Sequence, residues 1–178
     1  MELGAPTAGT SLEPVLQVAA RAVGALGITD GPTYTQVRMS MHSPEVIEVA
    51  ARLGGGHDAE LVEAATGVPL NDLAISAAIG ADVVVPAAEA HVGGAVTKFL
   101  IAPAGVLVAV EVPDQLDGVV SVRVYREPGY VFTPLRRASD RAGAILAVGD
   151  SRDEALERAE RAAAAITFRV AAPEALVG

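Results

Sequence analysis

The segment from residue 33 to residue 66 constrains the fold most, because two strand-like runs are followed by three consecutive glycines and a helix-like run. The runs 33–41 and 46–51 alternate apolar and polar side chains, and Ser43 and Pro44 mark a bend between them. Alternation with a period of two is typical of a strand with one buried face. The pattern therefore predicts an antiparallel hairpin whose turn is centred near His42.

The predicted register sorts the side chains of this hairpin onto two faces. A turn near His42 predicts three cross-strand pairs: Gln36 with Glu48, Arg38 with Val46, and Tyr34 with Ala50. The odd-numbered apolar side chains are expected to face a core: Val37, Met39, Ile47, Val49, Ala51 and Leu53. The opposite face carries the polar side chains Gln36, Arg38, Glu48 and Arg52.

The polar face has two interpretations. It is either a solvated outer face with a cross-strand ion pair, as any one-sided sheet shows, or a polar site. In a site, Glu48 can bind a cation, and Arg52 can bind a phosphate through two parallel hydrogen bonds.

A run of three glycines, residues 54–56, joins the second strand to a helix that begins at His57 or Asp58 and ends before Gly67. The free amides and the dipole at the start of a helix attract anions. A flexible strand-to-helix turn is the alternative. The position directly after the polar hairpin favours an anion-binding loop.

The rest of the chain predicts three further helices and a β-rich second part. Helices are expected at residues 12–26, with Ser11 as N-cap, and at residues 70–79. A third begins at a capping box formed by Ser151 and Glu154 and runs to about residue 165. Strands are expected at residues 95–102, 105–112, 119–126, 130–134, 144–149 and 167–170.

Composition changes within residues 81–91, which predicts two domains, residues 1–85 and residues 86–178. The first is a mixture of α and β, and the second is an antiparallel sheet with one helix. The expected fold class is therefore α+β.

Charge and composition exclude several classes of function. The net charge is −9, and the basic residues are twelve arginines and one lysine, Lys98. An acidic surface repels the phosphates of nucleic acid, and a surface with few aromatic side chains offers little for bases to stack on. The chain has no cysteine, so thiol catalysis and cysteine metal sites are excluded. No run is long and apolar enough to cross a membrane, and we expect a cytoplasmic protein.

The hairpin and glycine run together resemble the signature of the ATP-grasp ligases, in which a metal-binding Glu is followed by Asn and Arg at steps of two. Here Glu48, Ala50 and Arg52 stand at those positions. A glycine-rich loop and a His after the Arg are similar to the amino-acid and dipeptide ligase branch. Residues 140–143 and 149–155 resemble the C-terminal domain that follows ATP-grasp in ligases and biotin carboxylases.

The resemblance implies a fold and a set of roles. Residues 1–85 would be the C-terminal subdomain of an ATP-grasp domain, and residues 86–178 the ligase's β-rich C-terminal domain. ATP and Mg²⁺ would be the cofactors, with Gln36, Glu48 and Arg52 in the cofactor site. Glu48 would ligate the metal, and Arg52 would be the catalytic contact to the transferring phosphate. The loop residues Gly54, Gly55, Gly56 and His57 would line the substrate pocket.

Two departures leave two functions open. Gln36 stands where the family has an acidic metal ligand, and Ala50 stands where it has Asn. The first function is the C-terminal half or subunit of an ATP-dependent carboxylate–amine ligase, inactive alone. It implies small carboxylate and amine substrates and an oligomer, as a homodimer or with a chain carrying the N-terminal ATP-grasp half. The alternative is a degenerate, non-catalytic module that binds a ligand or a protein.

Overall fold

The computed structural model describes residues 12–40 and 43–172. The chain divides into two compact units between Glu89 and Ala90. The predicted N-cap Ser11 and the turn centre at His42 lie outside the described residues.

The first unit contains two strands and three helices within the described residues. They are α1 (Glu13–Ala25), β1 (Tyr34–Met39), β2 (Pro44–Ala50), α2 (Asp58–Thr66) and α3 (Leu70–Ala78). Each was predicted within a few residues of its observed ends. Gly67 ends α2 with a φ of 72°, a left-handed conformation that a side chain disfavours. Helix α1 lies mainly against β2.

Strands β1 and β2 pair in antiparallel fashion, and the register of the hairpin departs from prediction on one side of a bulge. Gln36 lies opposite Glu48 and Tyr34 opposite Ala50, as predicted. The register then shifts between Gln36 and Val37, so Arg38 lies opposite Glu45 and not Val46. The pairing leaves Ile47 as the extra residue of β2.

The bulge also corrects the predicted apolar face. Ile47 is 56% exposed and Met39 is 50% exposed, although both were expected to face a core. Ala51 follows the end of β2 and is exposed as well. An extra residue in one strand breaks the strict alternation of faces, so a period of two does not extend across it.

The second unit contains two three-stranded antiparallel sheets and one long helix within the described residues. Its elements are β3 (Gly94–Leu100), β4 (Gly105–Glu111), β5 (Val119–Val124), β6 (Val131–Phe132), β7 (Gly143–Gly149), α4 (Arg152–Ala165) and β8 (Thr167–Ala171). One sheet has the order β3-β7-β5 and the other β6-β4-β8. The predicted strand at 130–134 is reduced to the two residues of β6.

Helix α4 packs on β7 and β3 and closes the core of this unit. The core includes Leu107, Ile145 and Ala159, each with at most 1% exposure. Ser151 caps the helix by accepting a hydrogen bond from the Glu154 amide at 3.2 Å, as predicted. The return bond differs from prediction, because Glu154 accepts from the amide of Asp150 at 2.7 Å, one residue before the cap.

The structure therefore confirms a mixed α+β chain with antiparallel sheets and four α-helices in the described residues. Over residues 12–40 and 43–172, no helix has both the length and the apolar character that crossing a bilayer requires.

Candidate functional site

The end of the hairpin next to the glycine run gathers three of the predicted site residues and one that was not predicted. Gln36 and Glu48 are cross-strand partners. Arg52 Nη2 lies 3.8 Å from Glu48 Oε1. The added residue is Tyr34, whose hydroxyl accepts a hydrogen bond from Gln36 Nε2 at 3.3 Å. The Arg52 guanidinium carbon also lies 6.0 Å from the centre of the Tyr34 ring.

Glu48 and Arg52 form a loose and solvated pair. Their side chains are 50% and 58% exposed. Exposed pairs at this distance contribute little to stability, so both groups are accessible to a ligand at small energetic cost. Arg52 also donates from Nη1 to the carbonyl of Leu53 at 2.8 Å, which orients the guanidinium along the start of the loop.

The remaining pair on the hairpin is separate from this cluster. Arg38 Nη2 lies 2.7 Å from Glu45 Oε2, and both side chains are about half exposed or more. This cross-strand ion pair is the outer-face arrangement that the alternative interpretation of the hairpin expected. The polar face therefore has two parts, an ion pair near the turn and the Glu48–Arg52 cluster near the glycine loop.

The cluster offers few metal ligands. Among the described residues, no three His, Asp or Glu side chains stand together as a metal-binding group would require. Glu48 supplies one carboxylate, and Gln36 opposite it supplies an amide. Mg²⁺ in nucleotide sites is commonly held by one or two carboxylates, waters and the substrate phosphates. These donors fit an ion that arrives with a nucleotide, and they do not fit a cage made by the protein alone.

The glycine loop has an unusual backbone at its end. Gly56 has a φ of 74° and His57 a φ of 69°. A left-handed conformation is uncommon for a residue with a side chain, and such strain concentrates at functional sites. His57 Nδ1 lies 3.4 Å from Glu60 Oε1, which holds the ring beside the first turn of α2.

Asp58 is a residue of this site that the sequence reading passed over. It is only 9% exposed, and its carboxylate occupies the space that a Cβ at Gly54 would take, beside the Tyr34 ring. Burial raises the pKa of the Asp58 carboxyl above its ordinary value. The signal available in the sequence was an acidic residue directly after the glycines and His57, at the start of a helix.

The first turn of α2 carries two carboxylates, Asp58 and Glu60. Negative charge there is favourable for the helix, but it repels a second negative group. This geometry weighs against the predicted anion site at the helix start itself. An anion is better placed on the Arg52 side of the loop.

Comparison with known proteins finds a family model for part of the chain and a relative over most of it. Residues 98–171 match the model of the L-amino acid ligase C-terminal domain 2. Over 173 residues the chain is 33% identical to a Sinorhizobium fredii protein described as uncharacterized protein y4rH, covering 93% of this chain and 35% of that protein.

Solved structures share the fold over nearly the whole chain. Phosphoribosylglycinamide synthetase from Anaerococcus prevotii superposes with a TM-score of 0.83 at 16% identity, covering 95% of this chain and 44% of that one. L-amino acid ligase from Bacillus licheniformis superposes with a TM-score of 0.72 at 23% identity, covering 94% and 43%. The chain therefore spans about a third of the length of its curated relative and less than half of these structures.

The family match and the shared fold agree with the resemblance carried by the hairpin and glycine loop. Residues 98–171 match the L-amino acid ligase C-terminal domain 2, and the chain as a whole shares its fold with part of solved ATP-grasp ligases.

Proposed function

We propose that this chain is the C-terminal half or subunit of an ATP-dependent carboxylate–amine ligase and that it is inactive alone. The observation that supports this most is the cluster of Gln36, Glu48 and Arg52 directly before the glycine loop. A carboxylate, an amide and a guanidinium at one accessible place form a charge pattern suited to a nucleotide phosphate with its metal ion.

In this proposal each side chain of the cluster has a stated role. Arg52 contacts the phosphoryl group being transferred and stabilises its charge. Glu48 would hold Mg²⁺, and the Gln36 amide oxygen across the strand pair would be a neutral ligand. The Mg²⁺ ion, when bound, offsets negative charge on the phosphates. Tyr34 holds Gln36 through its hydroxyl and lies under Arg52, so it positions both groups.

The substrates follow from the same chemistry. ATP transfers its terminal phosphoryl group to a carboxylate and leaves as ADP, and an amine then displaces the phosphate to form the amide. The acceptor or carboxylate pocket is lined by Gly54, Gly55, Gly56 and His57. The backbone can approach a ligand closely there because glycine has no side chain.

A partner carrying the N-terminal ATP-grasp half completes the site in this proposal. The chain corresponds to less than half of the length of the structures that share its fold. Helices α1 and α3 contain no buried residue, and Leu16 and Ile79 are 60% and 76% exposed. An apolar groove of about 340 Å³ runs along α3 and includes Leu70 and Val85. Apolar surface of this kind marks an interface more often than free surface.

A specific observation supports a second candidate, a non-catalytic module derived from the same fold. Ala50 offers no ligand atom, and Gln36 replaces a charged ligand with a neutral one. One carboxylate holds Mg²⁺ more weakly than two do. In this case the accessible cluster binds a small ligand or a protein without phosphoryl transfer.

Calorimetric titration with MgATP tests the proposal, first on the chain alone and then with the product of the neighbouring gene. The variant Glu48→Gln removes the charge of the proposed metal ligand. Glu45→Gln is the matched control, because Glu45 is an equally exposed carboxylate on the same strand. We expect nucleotide binding in the complex that Glu48→Gln abolishes and Glu45→Gln retains.

Phosphate release that requires both a carboxylate and an amine separates the two candidates. Release by the complex, lost in Glu48→Gln, excludes the non-catalytic module. Absence of MgATP binding in a folded complex contradicts the ligase proposal. The double variant Gln36→Glu, Ala50→Asn is then the test of degeneracy, because restored ligands are expected to restore Mg²⁺ binding.

A further inference from the structure

His57 ends the glycine loop at a position where helix capping does not account for an imidazole. It is the N-cap of α2, yet its side chain makes no capping hydrogen bond. Residues that cap a helix through their side chains are usually Ser, Thr, Asp or Asn, and they do so from an extended backbone. His57 has a φ of 69°, and no other residue with a side chain has a positive φ in the described part of the chain.

The imidazole of His57 is held by a carboxylate in the first turn of α2. Its Nδ1 atom lies 3.4 Å from Glu60 Oε1, and the two side chains are 19% and 28% exposed. At neutral pH a carboxylate only accepts hydrogen bonds, so this contact favours the ring proton on Nδ1. The lone pair of the neutral ring is then on Nε2, which makes that nitrogen the proton acceptor.

The loop that carries His57 is fixed at both of its ends. A Cβ on Gly54 would meet the Asp58 carboxylate and would lie 2.8 Å from the Tyr34 ring, so the two ends of the loop are packed together. The Arg52 guanidinium carbon lies 6.0 Å from the centre of the same ring. Tyr34 therefore joins the loop to the arginine that is proposed to contact the transferring phosphoryl group.

We propose that His57 is the general base of the ligase reaction and that Glu60 is its positioning residue. This inference rests on the proposed function and deepens it, because it assigns one residue of the substrate loop to proton transfer. His57 Nε2 accepts a proton from the amine substrate. Glu60 acts only through the ring, by holding the other ring proton on Nδ1.

The amide-forming step has a proton to remove. The lone pair of the neutral amine forms a bond to the acyl carbon, and phosphate leaves with the electrons of the carbon–oxygen bond that breaks. The excess proton on the nitrogen passes to His57 Nε2 and from there to water. A positioned base accelerates such a step by about 10²–10⁴-fold, and histidine suits the role because its ordinary pKa lies near neutral pH. The imidazolium formed in between is stabilised by the carboxylates of Glu60 and Asp58.

Nitrogen-15 magnetic resonance of the full 178-residue chain locates the ring proton without ATP, substrate or partner. We expect the neutral His57 ring to carry its proton on Nδ1. Glu60→Ala is expected to shift the ring toward the form protonated on Nε2. Glu63→Ala removes an exposed carboxylate of the same helix and is expected to leave the proton on Nδ1. A wild-type ring protonated on Nε2, or a ring that does not respond to Glu60→Ala, overturns the proposal.

Two nucleophiles then separate proton transfer from carboxylate phosphorylation in the complex with the neighbouring gene product. L-alanine supplies the carboxylate, and L-alaninamide or hydroxylamine supplies the nucleophile. Hydroxylamine is uncharged at neutral pH and attacks an acyl phosphate without a base. His57→Asn removes the imidazole and keeps a residue that tolerates a positive φ. We expect this variant to form amide about 10²-fold more slowly or worse, and to form hydroxamate at nearly the wild-type rate.

The outcomes distinguish this inference from the proposed function. Equal losses of amide and hydroxamate in His57→Asn overturn the inference and leave the ligase proposal standing. Neither product from the wild-type complex contradicts the ligase proposal, and the inference fails with it. If His57→Asn does not fold, Glu60→Ala decides, because it should slow amide formation and spare hydroxamate formation, whereas Glu63→Ala should change neither.

Discussion

Replacing Gly54 with alanine is expected to destabilise the first unit, whereas the same replacement at Gly55 is expected to be nearly neutral. A Cβ at Gly54 would lie 2.8 and 2.9 Å from two carbons of the Tyr34 ring and in closer contact with the Asp58 carboxylate. A Cβ at Gly55 would meet no atom within 4 Å. Neither glycine has a positive φ, so the backbone itself accepts alanine at both positions.

The magnitude follows from the packing. Forcing a methyl group into a filled site costs about 1–3 kcal/mol, and we expect the upper half of this range at Gly54 because two neighbours must move. At Gly55, alanine restricts the unfolded chain and is expected to change stability by less than about 1 kcal/mol, in the stabilising direction. The two substitutions are adjacent and chemically identical, so their difference isolates the contact.

Urea unfolding followed by the amide signals of β1 and β2 measures the free energy of this unit without interference from the second. The slope of the unfolding free energy against urea concentration should be the same in both variants, so that a difference between their unfolding midpoints is a difference in stability. In an Asp58→Ala background, the loss of stability caused by Gly54→Ala should be smaller by about 1 kcal/mol, because the Asp58 carboxylate no longer contacts the added methyl group. Equal losses at Gly54 and Gly55, or no loss at Gly54, would refute the described packing of the loop.

Three further predictions concern stability. Asp58→Asn should stabilise the chain at neutral pH, because the raised pKa means that the folded protein holds the Asp58 proton more tightly than the unfolded chain does. Wild-type stability therefore falls as the pH rises from the ordinary pKa of 3.8 through the raised pKa. Thermal unfolding across that pH window should show a smaller fall in stability for the variant. Leu107→Ala should cost about 2–5 kcal/mol, since the side chain is 1% exposed, whereas Val108→Ala at 48% exposure should cost far less by denaturant unfolding. Arg38→Ala should cost less than about 1 kcal/mol, with a loss that diminishes at high salt, because its ion pair with Glu45 is exposed; a larger, salt-independent loss would contradict this.

Much of the local structure could be predicted from the sequence because it depends on short-range physics. The alternation of β1 and β2 predicted the pairing of Gln36 with Glu48, and Gly67 predicted the end of α2. Ser151 predicted the start of α4. These signals are read from residues a few positions apart, where side-chain period and capping chemistry act.

The candidate site could be predicted only in part. The spacing of Glu48 and Arg52 before the glycines indicated a cluster, and the structure brings these two residues together with Gln36. Tyr34 escaped the sequence reading because an alternating aromatic residue is equally typical of a packed sheet. Its role depends on a hydroxyl and a ring that meet Gln36 and Arg52 only once the strands pair.

By itself, the sequence determined which residue types stand near the hairpin end and in what order, because chain connectivity and strand period act over short separations. Only the tertiary structure decided three things: the bulge at Ile47, the exposure of Met39, and the burial of Asp58 against Gly54. Each depends on how separate elements pack, and the same acidic residue at a helix start is ordinarily solvated. Burial raises the pKa of that carboxyl above its ordinary value, which a solvated position at a helix start would not do.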